Sequence, residues 1–115
     1  MIVDDSLYAR LILRDLLLSL GYSVVAEAKS GREALELFEK VVPDAIIVDA
    51  AMPDMDGIAT TKELKREYPD AIVILSAGRG ERSAVVEGLS AGASDFLAKP
   101  YTSRRLLQTL RKTVG

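Results

Sequence analysis

Short β-branched runs and longer helical patterns alternate five times along this chain, and that alternation limits its fold more than any other feature. Met1–Val3 reads as the tail of a strand. Ser6–Leu20 reads as a helix, with Leu7, Leu11, Arg14 and Leu18 beside Leu13, Leu16, Leu17 and Leu20 giving a broad apolar face and Gly21 its stop. The pattern predicts a second strand over 23–28. Ser30-Gly31-Arg32-Glu33 then has capping-box spacing, and Ala34, Leu35, Phe38, Val41 and Val42 follow at helical period. Pro43-Asp44 breaks that helix before an apolar strand, Ala45–Val48, which ends on Asp49. The scheme repeats with a loop over 52–57, a helix over 58–68, and a strand over 71–75 ending on Ser76. A helix interrupted by Gly88 is expected over 81–91, a short strand over 95–98 before Lys99-Pro100, and a last helix capped by Thr102 with Leu106, Leu107, Leu110 and Val114 inward. Strands alternating with helices at these lengths predict βαβ units and a parallel sheet covered on both faces. The expectation is one doubly wound α/β domain spanning residues 1–115.

Composition narrows the chemistry such a domain can perform. Cysteine and histidine are absent, so there is no disulfide, no Cys/His zinc site and no imidazole base. Any metal must be a hard cation held by oxygens, and any nucleophile a carboxylate, hydroxyl or amine. The formal charge of −2 argues against direct nucleic-acid binding, which calls for a basic domain. No signal-peptide pattern opens the chain, and the apolar runs are far shorter than the roughly 20 residues of a membrane span. The expected location is therefore the cytoplasm, without membrane contact.

Ligands of open parallel sheets bind beyond the carboxyl ends of the strands. Asp4 and Asp5 end the first strand, Asp49 the third, Ser76 the fourth and Lys99 the fifth, so five polar groups should converge on one edge. Singly each has an ordinary explanation; Asp4 or Asp5, for instance, would serve as the N-cap of the first helix. Together they describe a specific chemistry. Three adjacent carboxylates repel unless a cation sits among them, and Mg²⁺ suits carboxylate and phosphate oxygens. Lys99 and Ser76 can both reach phosphoryl oxygens. A carboxylate that accepts a phosphoryl group needs such an electrostatic clamp rather than a general base. The cluster reads as an aspartyl-phosphate site.

These residues carry a resemblance. The chain is similar over essentially its whole length to the CheY-like receiver domains of two-component response regulators. The matching motifs are Asp4-Asp5, Asp49, Met52-Pro53-Asp54-Met55-Asp56-Gly57, Ser76-Ala77, Gly92-Ala93 and Lys99-Pro100, in that order. The resemblance implies a flavodoxin-like five-stranded sheet of order 2-1-3-4-5 with five helices. It implies Asp49 as phosphoacceptor, charged by a phosphohistidine on a histidine kinase or phosphotransfer protein. Mg²⁺ would be held by Asp5, Asp49 and the backbone carbonyl of Ala51, with Asp4 acting through water. Ser76 and Lys99 would bind phosphoryl oxygens, Phe96 would be a switch aromatic following Ser76 as well as a core residue, and the Lys99–Pro100 bond would be cis. Met52 and Met55 are expected to fill gaps under their loop, and Gly57 to meet a backbone need.

The chain also departs from the family pattern. Only three residues precede the acidic pair, so the first strand is expected to be truncated at its start. Ala51 and Gly78, two positions after Asp49 and Ser76, leave the approach to the phosphoryl group without side chains. Glycines at 78, 80 and 88 are expected to weaken the fourth helix and its preceding loop, making either a poorly formed surface helix or a soft element that repacks on phosphorylation. Arg104 and Arg105 stand in the first turn of a helix, against the dipole preference, and are a candidate partner surface. No effector motif follows within the chain, which suits either a single-domain chemotaxis-type regulator or an excised receiver, monomeric or weakly dimeric on phosphorylation. Two other classes compete. One is a haloacid-dehalogenase-like phosphatase, which would need a second Asp where Ala51 stands. The other is a pseudo-receiver that is never phosphorylated, against which the complete acidic set argues.

Overall fold

A computed structural model describes residues 1–115. Five strands form one parallel sheet: β1 (Ile2–Val3), β2 (Glu27–Ala28), β3 (Ile46–Asp49), β4 (Val73–Ala77) and β5 (Asp95–Ala98), in the order β2-β1-β3-β4-β5. The helices are α1 (Leu7–Ser19), α2 (Gly31–Val41), α3 (Gly57–Glu67), α4 (Arg82–Ser90) and α5 (Ser103–Thr113). The sheet separates two apolar clusters. One joins Val3, Val48, Val73 and Leu75 with Ala34, Phe38 and Leu64 of α2 and α3; the other joins Ile2, Ile47, Ile74 and Leu97 with Leu13 and Leu17 of α1 and Leu106 and Leu110 of α5. Alternate residues of one strand thus face opposite layers, and β3 and β4 are buried throughout, as strands covered on both faces must be.

Local signals set most of the boundaries. Ser6, Ser30, Asp56 and Thr102 are the N-caps of α1, α2, α3 and α5, each side chain accepting a hydrogen bond from the N–H three residues on. Gly21 follows α1 at φ 92°, a conformation suited to glycine. Gly57 has a different reason: a Cβ there would lie 2.4 Å from the Asp49 carbonyl oxygen, so the start of α3 can pass over the end of β3 only as glycine.

Several expectations are corrected. The second strand is confined to Glu27–Ala28, because its ladder partner β1 comprises only Ile2–Val3; the Ile2 N–H still reaches the Ala26 carbonyl at 3.1 Å, but residues 23–25 lie beyond the ladder. The N-cap of α1 is Ser6 rather than Asp4 or Asp5; Asp4 Oδ1 instead accepts from the Ser6 N–H at 2.9 Å. The apolar face of α1 is only partly used: Leu13 and Leu17 are buried, Leu7, Leu11 and Leu18 are exposed, and Arg14 is ion-paired. β4 spans Val73–Ala77 rather than 71–75, so Ser76 lies within the strand. Gly88 is no mere weakness in α4. A Cβ there would fall 1.9 Å from Leu75 Cδ1, so the glycine lets the helix lie close against β4.

Candidate functional site

The sheet order places β1, β3, β4 and β5 side by side, and their carboxyl ends carry the expected residues. Asp49 is the last residue of β3 and is buried. Its partner in the ladder is Ser76, also buried, so the two side chains stand one strand spacing apart, about 4.8 Å between backbones. The Ala50 N–H donates to the Ser76 carbonyl at 2.8 Å and keeps this register at the strand end.

Lys99 enters from the end of β5, its N–H donating to the Ala77 carbonyl at 2.7 Å. Its Nζ lies 3.1 Å from Asp49 Oδ1 and 3.5 Å from Asp4 Oδ2, so one ammonium bridges two carboxylates. The Lys99–Pro100 peptide bond is cis. Burial alone would lower the Lys99 pKa, but the two carboxylates outweigh it and hold the group above its ordinary value. Asp49 moves upward too, because burial disfavours its charge and Asp4 adds repulsion, against the pull of Lys99 and a hydrogen bond from the Ala51 backbone.

Asp5 is exposed at the mouth, and the carboxylate oxygens of Asp4, Asp5 and Asp49 lie within 4.8 Å of one another. Three hard oxygen donors at this separation, with excess negative charge, fit a divalent cation of the Mg²⁺ type. Ala51 begins the exposed loop after β3, so its backbone lies on the same edge.

The chain belongs to the response regulator receiver domain family. The family profile matches residues 1–111. The chain is 39% identical to the chemotaxis protein CheY of Bacillus subtilis, over 100% of this chain and 96% of that protein. It superposes with TM-score 0.92 on a putative response regulator from Chloroflexus aurantiacus at 33% identity, covering 98% of this chain and 93% of that one. The receiver domain of NtrX from Brucella abortus gives TM-score 0.93 at 25% identity, over 98% and 95% of the two chains. This is therefore a receiver domain of the two-component response regulators, with the fold and phosphorelay role of that family. None of its helices is long and apolar enough to cross a membrane.

The remaining candidate residues lie off the pocket. Phe96, paired with Leu75 in the ladder, is half-buried and lines a 420 Å³ cavity with Val85, Val86 and the loop over 78–81. Arg104 and Arg105 are exposed in the first turn of α5, and Arg105 adds to the positive field on Asp95. Met52 is buried and packs in the core, while Met55 is half-buried beside Gly31.

Sequence reasoning missed the roles of four side chains. Arg10 donates to the Asp4 carbonyl at 2.6 Å and, with Arg14, meets Glu27 of β2. The available signal was a glutamate inside a β-branched run and two arginines one helical turn apart. Glu81, just before α4, accepts a hydrogen bond from the Gly78 N–H at 2.5 Å and closes the loop after Ser76. No local pattern marked that contact.

Proposed function

We propose that this domain is a Mg²⁺-dependent phosphoacceptor switch in which Asp49 takes a phosphoryl group from a phosphohistidine on a histidine kinase or phosphotransfer protein. The observation that carries the reading is Asp49 itself: buried at the end of a central strand, in register with Ser76, and 3.1 Å from the Lys99 ammonium. An Asp49 oxygen attacks phosphorus and the P–N bond breaks. The imidazole nitrogen keeps the electron pair and takes a proton, leaving an acyl phosphate on Asp49. Asp5, Asp49 and the Ala51 carbonyl are the direct cation ligands in this reading, and Asp4 acts through water. A bound Mg²⁺ supplies the charge neutralisation that lets carboxylates and a phosphoryl group share one pocket.

Lys99, already between Asp49 and Asp4, needs only a side-chain rotation to meet a phosphoryl oxygen. Ser76 donates to a second oxygen, and its movement lets Phe96 turn into the adjoining cavity, altering the surface near α4 and α5. Arg104 and Arg105 serve a protein partner on that surface. Similarity along the chemotaxis protein of Bacillus subtilis favours a chemotaxis role, with target-protein binding as output and a cytoplasmic location. The domain acts on itself, by phosphorylation and autodephosphorylation, rather than turning over an external substrate; Ala51 stands where a phosphatase of similar chemistry needs its acid–base carboxylate.

Incubation with Mg²⁺ and acetyl phosphate or phosphoramidate, followed by mass spectrometry, tests the proposal. A single phosphoryl increment that is absent in Asp49→Asn is expected. No adduct from either donor would identify a pseudo-receiver. Rapid multiple turnover of phosphomonoesters would identify a phosphatase.

A further inference from the structure

Asp5 is the exposed member of the acidic set, so its carboxylate is aimed by its backbone rather than by neighbouring packing. That backbone is held at the preceding residue. The Asp4 N–H donates to the Ala28 carbonyl at 3.1 Å, and its Oδ1 accepts from the Ser6 N–H at 2.9 Å. Its carbonyl, which shares a peptide plane with the Asp5 N–H, accepts from Arg10 Nη1 at 2.6 Å.

Arg10 is itself fixed. Its Nε stands 3.4 Å from Glu27 Oε1, and Arg14 Nε holds the other oxygen of that carboxylate at 2.6 Å. The side chains of Arg10 and Glu27 are 14% and 21% exposed, enough burial for the guanidinium fork to be locked in one orientation. One face of the fork serves β2 and the other the β1–α1 loop.

We infer that Arg10, oriented by Glu27, is a positioning residue for the cation end of the pocket: it sets the Asp4–Asp5 peptide plane and so aims the Asp5 carboxylate toward Asp49. The inference rests on the reading of Asp4, Asp5 and Asp49 as a Mg²⁺ site. It has a competitor of opposite sign. A guanidinium bound to the Asp4 backbone, next to the acidic set, repels an incoming cation, so a purely coulombic Arg10 would weaken Mg²⁺ binding and its removal would strengthen it. Positioning predicts the reverse, since loss of an outer contact that orients a metal ligand lowers affinity by about ten-fold or more.

Mg²⁺ titration of the full chain, followed by backbone amide shifts in parallel with thermal melting, separates the two. Positioning gives the affinity order wild type, Arg10→Lys, Arg10→Met, with the Met variant about ten-fold weaker than wild type. Lysine keeps the charge but cannot span Glu27 and the Asp4 carbonyl as a fork, so its affinity falls between the other two. Unchanged or tighter Mg²⁺ binding in Arg10→Met, with only the melting temperature lowered, would overturn the inference and leave Arg10 a structural ion pair. Should Arg10→Met not fold, Arg10→Lys decides alone: equal charge with weaker Mg²⁺ binding supports positioning, and equal affinity rejects it. Asp5→Asn is the control on the underlying reading. If that variant binds Mg²⁺ as wild type does, the cation site is wrongly assigned and this inference goes with it; if it loses binding while the Arg10 variants keep it, only the positioning role fails.

Discussion

The β1–β3 side of the pocket and its β4–α4 side are built differently. On the first, the Asp4 N–H, carbonyl and both carboxylate oxygens each meet a partner, and α3 starts directly over the Asp49 backbone at a glycine that tolerates no Cβ. On the second, the loop after Ser76 contains Gly78 and Gly80, the latter at φ 83°, and α4 has no side-chain cap and buries only Gly88. Val86 and Leu89 of the same helix remain exposed. A phosphorylation switch needs both conditions. Groups that bind a cation and a phosphoryl group must be held still, while the element that reports the event must come from the low-stability end of the structure.

The largest expected effect tests the rigid side. Gly57→Ala should lower the unfolding free energy by about 3 kcal/mol, because backbone atoms of Asp49 and Ala50 cannot yield to the added methyl. Chemical denaturation measures it, and a loss under about 1 kcal/mol would show that the start of α3 is free to shift.

Next comes the charge of the pocket. Asp49 has a raised pKa in the folded state, so its contribution to stability is present below the unfolded value of 3.8 and is lost as pH rises through the folded value. Ionised Asp49 therefore opposes folding at neutral pH. Without Mg²⁺, Asp49→Asn should melt above wild type at pH 7, and the gap should close as pH falls below that unfolded value. Mg²⁺ at ten times its Kd should stabilise wild type by about 1.4 kcal/mol and Asp49→Asn much less. A wild-type advantage at pH 7 without Mg²⁺ would mean that Lys99 alone balances the pocket.

Gly88→Ala probes the softer side. The methyl meets the end of a flexible leucine, and alanine recovers about 1 kcal/mol of helix propensity, so the net loss should be about 1 kcal/mol. A loss equal to that of Gly57→Ala would erase the contrast between the two sides. The smallest effect is expected from Glu81→Gln, which replaces a charge-assisted bond to the Gly78 N–H by a neutral one. Exchange of the Gly78 amide should quicken about five-fold, the equivalent of about 1 kcal/mol, with global stability little changed. No change in that exchange rate would show that the carboxylate does not restrain the loop.

How much of this was legible in the sequence depended on the range of the interaction. Ser30 and Thr102 announce their helices because capping is a contact across three residues. Residues 23–26 have the composition of a strand and are none, because strand formation needs a partner and β1 comprises only Ile2–Val3. Gly88 looked like a helix weakness, since the Leu75 side chain it accommodates is thirteen residues away and on another element. Arg14 looked like part of an apolar face until Glu27 stood opposite it.

The sequence by itself determined the alternation of strands and helices and the placing of Asp4, Asp5, Asp49, Ser76 and Lys99 at strand ends. These follow from local periodicity and from strand breaks that each segment carries within itself. Only the tertiary structure decided that Asp49 and Ser76 share a register, that Lys99 bridges Asp49 and Asp4, and that Arg10 holds the carbonyl ahead of Asp5. Those depend on segments up to 95 residues apart (Asp4 to Lys99) settling at distances of a few ångströms, which side-chain packing sets and local periodicity does not encode.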